Sequence, residues 1–194
     1  MLIGDLTKSE LVQILEIIEG ARSCVDTDTL KCLLLKSSEV TEADNAICGI
    51  VKVSPAGPTA LQAVLNGSYP EKMIDHYLSG RLYLKDPVVR YHANFSITRS
   101  WSEIFREVDD APARQVVNYA SEFGLKHGVS SGLFLPEEQG VFIISFAGPS
   151  KRSVAHQKKI TDILTRHLGN AMMRCSLGVP VVSGTGPVAG VLTC

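Results

Sequence analysis

Residues able to do chemistry crowd one stretch of this chain: Tyr69-Pro70, Met73 and Tyr77, then Asp86-Pro87-Val88-Val89, then Trp101. Phenolic hydroxyls and an indole N–H are polar tips on apolar bodies, and with one carboxylate they could hold a small polar molecule in apolar surroundings. The carboxylate is the demanding member. Buried, it is costly unless it accepts hydrogen bonds, each contributing on the order of 1.5–3 kcal/mol to a charged group. An empty pocket should leave Asp86 poorly satisfied, which would couple folding to ligand. Ser130 and Ser145 fall on strands predicted below, where a hydroxyl facing the core needs a ligand or backbone carbonyl. Each residue also has a plainer use. Asp86-Pro87 reads as a helix N-cap followed by proline in the first turn, and Tyr69, Tyr77, Tyr83 and Trp101 as packing aromatics. Met73 reads equally as core filler. The cap and ligand uses of Asp86 coexist only if its side chain turns inward.

Catalytic signatures are missing from the sequence. It holds no HExxH, no Gly-x-Ser-x-Gly and no Walker-type Gly-Lys-Ser/Thr, and His76, His92, His127, His156 and His167 show no metal-ligand spacing with cysteine. Gly184, Gly186 and Gly190 imitate a phosphate-binding turn only weakly and suit a linker better. No catalytic residue, metal or cofactor is expected, although a Ser/His/Asp set assembled in space stays open.

At 194 residues the chain has the size of one domain with a substantial core, and its 45% hydrophobic and 20% charged content is that of a globular protein. Nineteen basic and 20 acidic residues give a net charge of -1, without the basic stripe a nucleic-acid groove requires. No apolar run has membrane-spanning length, and the first residues do not read as a signal peptide, so a cytoplasmic protein away from the membrane is expected. Cys24, Cys32, Cys48, Cys175 and Cys194 include no CxxC pair and read as reduced, mostly buried thiols.

The elements that must position these groups follow from periodicity and caps. Thr7 and Glu10 form a capping box before Leu11, Ile14, Leu15 and Ile18, and Gly20 is expected to stop that helix. A second helix starts near Asp26, residues 46–53 suit a strand, and 54–58 suit a turn or loop. After the apolar stretch 61–65, the segment 69–94 has mixed spacing and predicts no single element. A helix capped by Asp109 or Asp110 buries Val116, Tyr119, Ala120 and Phe123. Strands at 129–135 and 141–147 form a hairpin, and a last helix covers about 153–175. The fold class is α+β: an αβα sandwich with a central, largely antiparallel sheet and helices on both faces, any ligand lying between sheet and helices. Residues 1–175 form the domain and 176–194 a linker.

The register of these residues resembles the autoinducer-binding domain of LuxR-type quorum-sensing transcription regulators. That family has a Tyr-Pro, a Trp four residues after the Tyr, a second Tyr four further on, an Asp-Pro-Val nine after that, and a Trp fifteen beyond the Asp. Tyr69, Pro70, Tyr77, Asp86 and Trp101 keep the spacing, Gly128 also fits, and the element order agrees over about residues 1–175. The resemblance implies a sensor of N-acyl homoserine lactones or related amide-bearing signals. Asp86 would accept the ligand amide N–H and Tyr77 would donate to the acyl carbonyl, with Trp101, Met73, Tyr69, Ser130 and Ser145 completing the ligand-binding set. It further implies a homodimer that meets DNA only through a C-terminal helix-turn-helix domain.

One departure stands out. Where the family has its first Trp, a donor to the lactone carbonyl, this chain has Met73, which cannot donate. Methionine there resembles unpaired "solo" receptors, some answering to plant-derived compounds, although that subgroup usually changes the second Tyr as well. A further family aromatic falls at Leu82, beside Tyr83. Leu192-Thr193-Cys194 matches the start of the family's Leu-Thr-x-Arg-Glu, implying a sensor that stops at a domain boundary. The last helix is a candidate dimer face because Val154, Ile160 and Met173 exceed one buried stripe. The alternatives are a truncated partner that inhibits a full-length regulator, and a small acyl-amide or ester hydrolase.

Overall fold

A computed structural model describes residues 6–177, so the expected linker and the Leu192-Thr193-Cys194 match lie outside the described residues. The predicted capping box starts helix α1 (Lys8–Ser23): the Glu10 N–H donates to Thr7 Oγ1 at 3.2 Å, and the Glu10 carboxylate accepts the Thr7 N–H at 2.7 Å. Gly20 does not end the helix. A Cβ there would lie 2.8 Å from Leu33 Cδ2, so the glycine lets α1 pack closely on α2 (Thr27–Thr41). Asp26 caps α2 by accepting the Thr29 N–H at 2.8 Å.

Strands β1 (Asn45–Ser54) and β2 (Gly57–Asn66) form a hairpin turning on Pro55 and Ala56 alone. The strand content of β2 is hard to see in sequence because it is an edge strand, exposed at Thr59 and Ala60. The stretch of mixed spacing folds as α3 (Glu71–Ser79), a 3₁₀ turn (Leu82–Leu84) and α4 (Pro87–His92). These pieces are too short to display a helical period. Next come the two-residue β3 (Arg99–Ser100), α5 (Trp101–Glu107) and α6 (Ala111–Glu122), the last capped by Asp110. The expected hairpin is β4 (Gly128–Leu135) and β5 (Gly140–Ala147), followed by α7 (Val154–Leu177).

The sheet order is β2-β1-β5-β4-β3 with every neighbour antiparallel. Central β5 is buried along its whole length because both its faces are covered. Phe142, Ile144 and Phe146 enter a core shared with α1, α2 and α7; Val141, Ile143 and Ala147 enter a second core shared with α3, α4 and α5. This is the expected αβα sandwich.

On α7 the apolar excess largely disappears into the first core. Ile160 is fully buried and Met173 half-buried, leaving Val154 as the exposed member of that trio. Cys24, Cys48 and Cys175 are buried thiols and Cys32 is exposed, with the Cys24 and Cys175 sulfurs 3.8 Å apart.

Candidate functional site: an apolar cavity with a tyrosine–aspartate pair

Between the sheet and helices α3 to α6 lies a cavity of about 110 Å³. Its sheet side carries Ile47, Val51, Ile143 and Ser145, and its helical side carries Met73, Ile74 and Tyr77 of α3, Val88 and Val89 of α4, and Val116, Val117 and Ala120 of α6. Position along α3 explains the first group. Met73, Ile74 and Tyr77 share one face at i, i+1 and i+4, while Glu71, Lys72, Asp75 and His76 are exposed. Pro70 fixes the start of that helix. Asn66 brackets Tyr69 just before it, accepting the Tyr69 N–H at 2.8 Å and donating to the Tyr69 carbonyl at 2.9 Å.

Asp86 performs both uses read from the sequence. Its Oδ1 accepts the Val88 N–H at 2.8 Å as the N-cap of α4, and its Oδ2 accepts the Tyr77 hydroxyl at 2.6 Å. The carboxylate is therefore not left poorly satisfied without ligand, contrary to the expectation above. Burial raises the Asp86 carboxyl above its ordinary value, against the hydrogen bonds from Tyr77, Val88 and Val89 that lower it. Burial and the neighbouring Asp86 hold the Tyr77 phenol well above its ordinary value, so the hydroxyl keeps its proton and stays a donor.

Trp101 opens α5. Glu103 Oε2 accepts from the Ser100 N–H and hydroxyl at 2.8 and 2.7 Å, and Lys158 of α7 donates to the same oxygen at 2.9 Å, anchoring this helix start. The Trp101 ring lies over β4 at Gly128, where an added Cβ would come within 2.8 Å of Trp101 Cε2 and 2.6 Å of the Phe146 carbonyl oxygen. No side chain other than hydrogen fits beneath the indole. Among the described residues, two polar atoms at this site are buried without a partner, the Tyr69 hydroxyl and Trp101 Nε1. An orphaned buried donor costs about 1–3 kcal/mol, so such groups mark positions where a ligand can repay the fold.

Six of the seven predicted binding residues thus border one cavity: Tyr69, Met73, Tyr77, Asp86, Trp101 and Ser145. Ser130 is placed elsewhere. It pairs with Ser145 across the β4–β5 ladder, but its hydroxyl lies 2.9 Å from His92 Nε2, and His92 Nδ1 lies 3.1 Å from the Phe95 carbonyl oxygen. Ser130 and His92 are both fully buried and outside the cavity lining, so this Ser–His contact gives the hydrolase reading no support. Among the described residues no three His, Cys, Asp or Glu side chains are grouped to hold a metal ion, and no helix is long and apolar enough to cross a membrane.

Sequence reasoning missed Ile74, Phe105 and Val117, and left Tyr83 as a packing residue although it lines the cavity. Phe105 had a readable signal, since it lies one turn beyond Trp101 on the same helix.

The sequence profile of the autoinducer binding domain matches residues 26–172, and the chain belongs to that family of signal-binding regulatory domains. Solved structures repeat the fold. Escherichia coli SdiA aligns with a TM-score of 0.65 at 18% identity, covering 91% of this chain and 72% of that one. SdiA in complex with octanoyl-rac-glycerol aligns with a TM-score of 0.65 at 20% identity, covering 96% and 72%. The N-acylhomoserine-lactone-dependent LuxR-family transcription factor CepR2 from Burkholderia cenocepacia aligns with a TM-score of 0.69 at 13% identity, covering 90% and 100%. A search of curated proteins finds no significant sequence match.

Proposed function

We propose that this chain is the sensor of a cytoplasmic LuxR-type transcription regulator that binds an N-acyl homoserine lactone or a related amide-bearing signal, with Tyr77 and Asp86 as its polar anchor. The observation that carries this reading is the Tyr77–Asp86 hydrogen bond on the wall of a largely apolar cavity. A phenol has one proton to give. Without ligand it goes to Asp86. With an amide present, the ligand N–H takes the place of Tyr77 at Asp86 Oδ2, and the released hydroxyl donates to the ligand carbonyl. One internal bond becomes two bonds to ligand, and the apolar walls receive the acyl chain.

Homodimerisation and control of DNA through a further domain belong to the same proposal. The exposed apolar pair Val12 and Leu15, on one face of α1, is compatible with a protein contact. The test is expression of the chain with and without N-acyl homoserine lactones of graded chain length and octanoyl-rac-glycerol, followed by soluble yield and mass spectrometry of extracted small molecules. A compound that raises yield and is retained by the pure protein is the predicted result. Equal yield throughout, with nothing retained, contradicts the proposal.

A further inference from the structure

The Cys24 and Cys175 sulfurs lie 3.8 Å apart although 151 residues of chain separate them. Cys24 is the residue that closes α1, and Cys175 sits in the last turn of α7. Both thiols are directed at one acceptor, the Asp26 carbonyl oxygen, with each sulfur 3.3 Å from it. Arg174, the neighbour of Cys175, holds the two segments in register. Its Nε donates to the Cys24 carbonyl at 3.2 Å, and a terminal nitrogen donates to the Ala21 carbonyl. A cysteine alone in a core serves as a small apolar residue. Here, moving each sulfur by about 0.9 Å would bring the pair from 3.8 Å to the S–S bond length of about 2.05 Å. Burial and the neighbouring Cys24 thiol push Cys175 well above its ordinary value, so the pair rests as thiols at neutral pH.

We propose that Cys24 and Cys175 are a redox-modifiable pair, converted by hydrogen peroxide into an intramolecular disulfide that staples the end of α1 to the last turn of α7. One sulfur, as thiolate, attacks a peroxide oxygen; the O–O bond breaks, leaving a sulfenic acid and hydroxide, which takes up the thiol proton as water. The second sulfur then displaces the sulfenic hydroxyl, the S–S bond forms, and a second water leaves. The two thiols give up two electrons and two protons, and one peroxide is reduced to two waters. Both residues are nearly enclosed, at 2% and 4% exposed, so a neutral oxidant little larger than water suits them, and bulkier reagents should meet exposed Cys32 first. The pair lies in the first core, across the sheet from the cavity, so its oxidation is testable without a ligand.

A chain carrying Cys32→Ser and Cys194→Ser keeps Cys24, Cys48 and Cys175 as its thiols. The folded protein is exposed to hydrogen peroxide, quenched with catalase, alkylated in denaturant and mapped by mass spectrometry. The expected product has lost two alkylatable thiols, yields a linked Cys24–Cys175 peptide and recovers both thiols with dithiothreitol. It should also melt about 5 °C or more above the reduced form, because the bond closes a long loop of the unfolded chain. A folded chain that keeps all its thiols, passes to sulfinic acid without linking, or links Cys48 instead overturns the pair. A linked product that melts no higher overturns the staple. Should the doubly substituted chain prove insoluble, the same mapping of the unaltered chain, with Cys32 first blocked by iodoacetamide, decides.

Discussion

The Tyr77 hydroxyl donates to Asp86 Oδ2 at 2.6 Å across nine residues of chain, tying the last turns of α3 to the first residue before α4. The bond does two things at once. It closes the cavity wall without ligand, and it holds a proton that a ligand can redirect. Folding of the empty domain therefore need not wait for a ligand on account of Asp86.

Removing that proton should expose the cost of the carboxylate. Tyr77→Phe is expected to destabilise the unliganded chain by about 1.5–3 kcal/mol, the scale of a hydrogen bond to a charged group. Urea denaturation measures this, and the same substitution should cost clearly less in an Asp86→Asn background, because the two groups are coupled.

His92 makes the stability depend on mild acid. Burial lowers its pKa to about 4 from 6.5, against the Phe95 carbonyl contact that raises it, so the imidazole folds neutral. The unfolded chain binds the proton first. The stabilising contribution is therefore full above about pH 6.5 and is lost as pH falls toward 4, a change of order 3 kcal/mol. Denaturation curves across this window should show the slope, and His92→Gln should flatten it at the cost of lower stability at pH 7.5.

Glu10 governs a lower window. Its burial would raise the carboxyl, but hydrogen bonds from Thr7 and His156 hold it down to about 2. His156 Nε2 lies 2.8 Å and Arg152 3.1 Å from Glu10 Oε1, so the α1 cap also clamps the start of α7. Its contribution is present above about pH 4.5 and is lost as pH falls toward 2. Glu10→Gln should lower the melting temperature at neutral pH and weaken the decline below pH 4.5.

The floor beneath Trp101 admits no added carbon. Gly128→Ala would press on the indole and on the Phe146 carbonyl, and overpacking of this kind costs about 1–3 kcal/mol. Because the chain has a single tryptophan, a shifted emission maximum accompanying the lower melting temperature would show that the ring has moved.

Much of this was legible in the sequence, for reasons that differ by element. The α1 and α6 starts carry side-chain caps, and β5 carries an unbroken apolar run, so each announces itself locally. The edge strand β2 and the short α3 and α4 do not, because half-exposed or six- to nine-residue elements take their conformation from what they pack against. Tyr77 and Asp86 could be named from their register. The Ser130–His92 contact could not, since the same side-chain alternation puts Ser130 and Ser145 on one face and only packing by α4 decides which of them meets the cavity.

The most direct test of the polar anchor is calorimetric titration of the signal retained during expression into the chain and into Asp86→Asn, at matched folded concentration. Loss of the carboxylate should weaken binding at least tenfold, about 1.4 kcal/mol, with the cavity otherwise intact. Equal affinity for the two proteins would mean that the ligand amide does not rest on Asp86, and the exchange of the Tyr77 proton from carboxylate to ligand would be wrong.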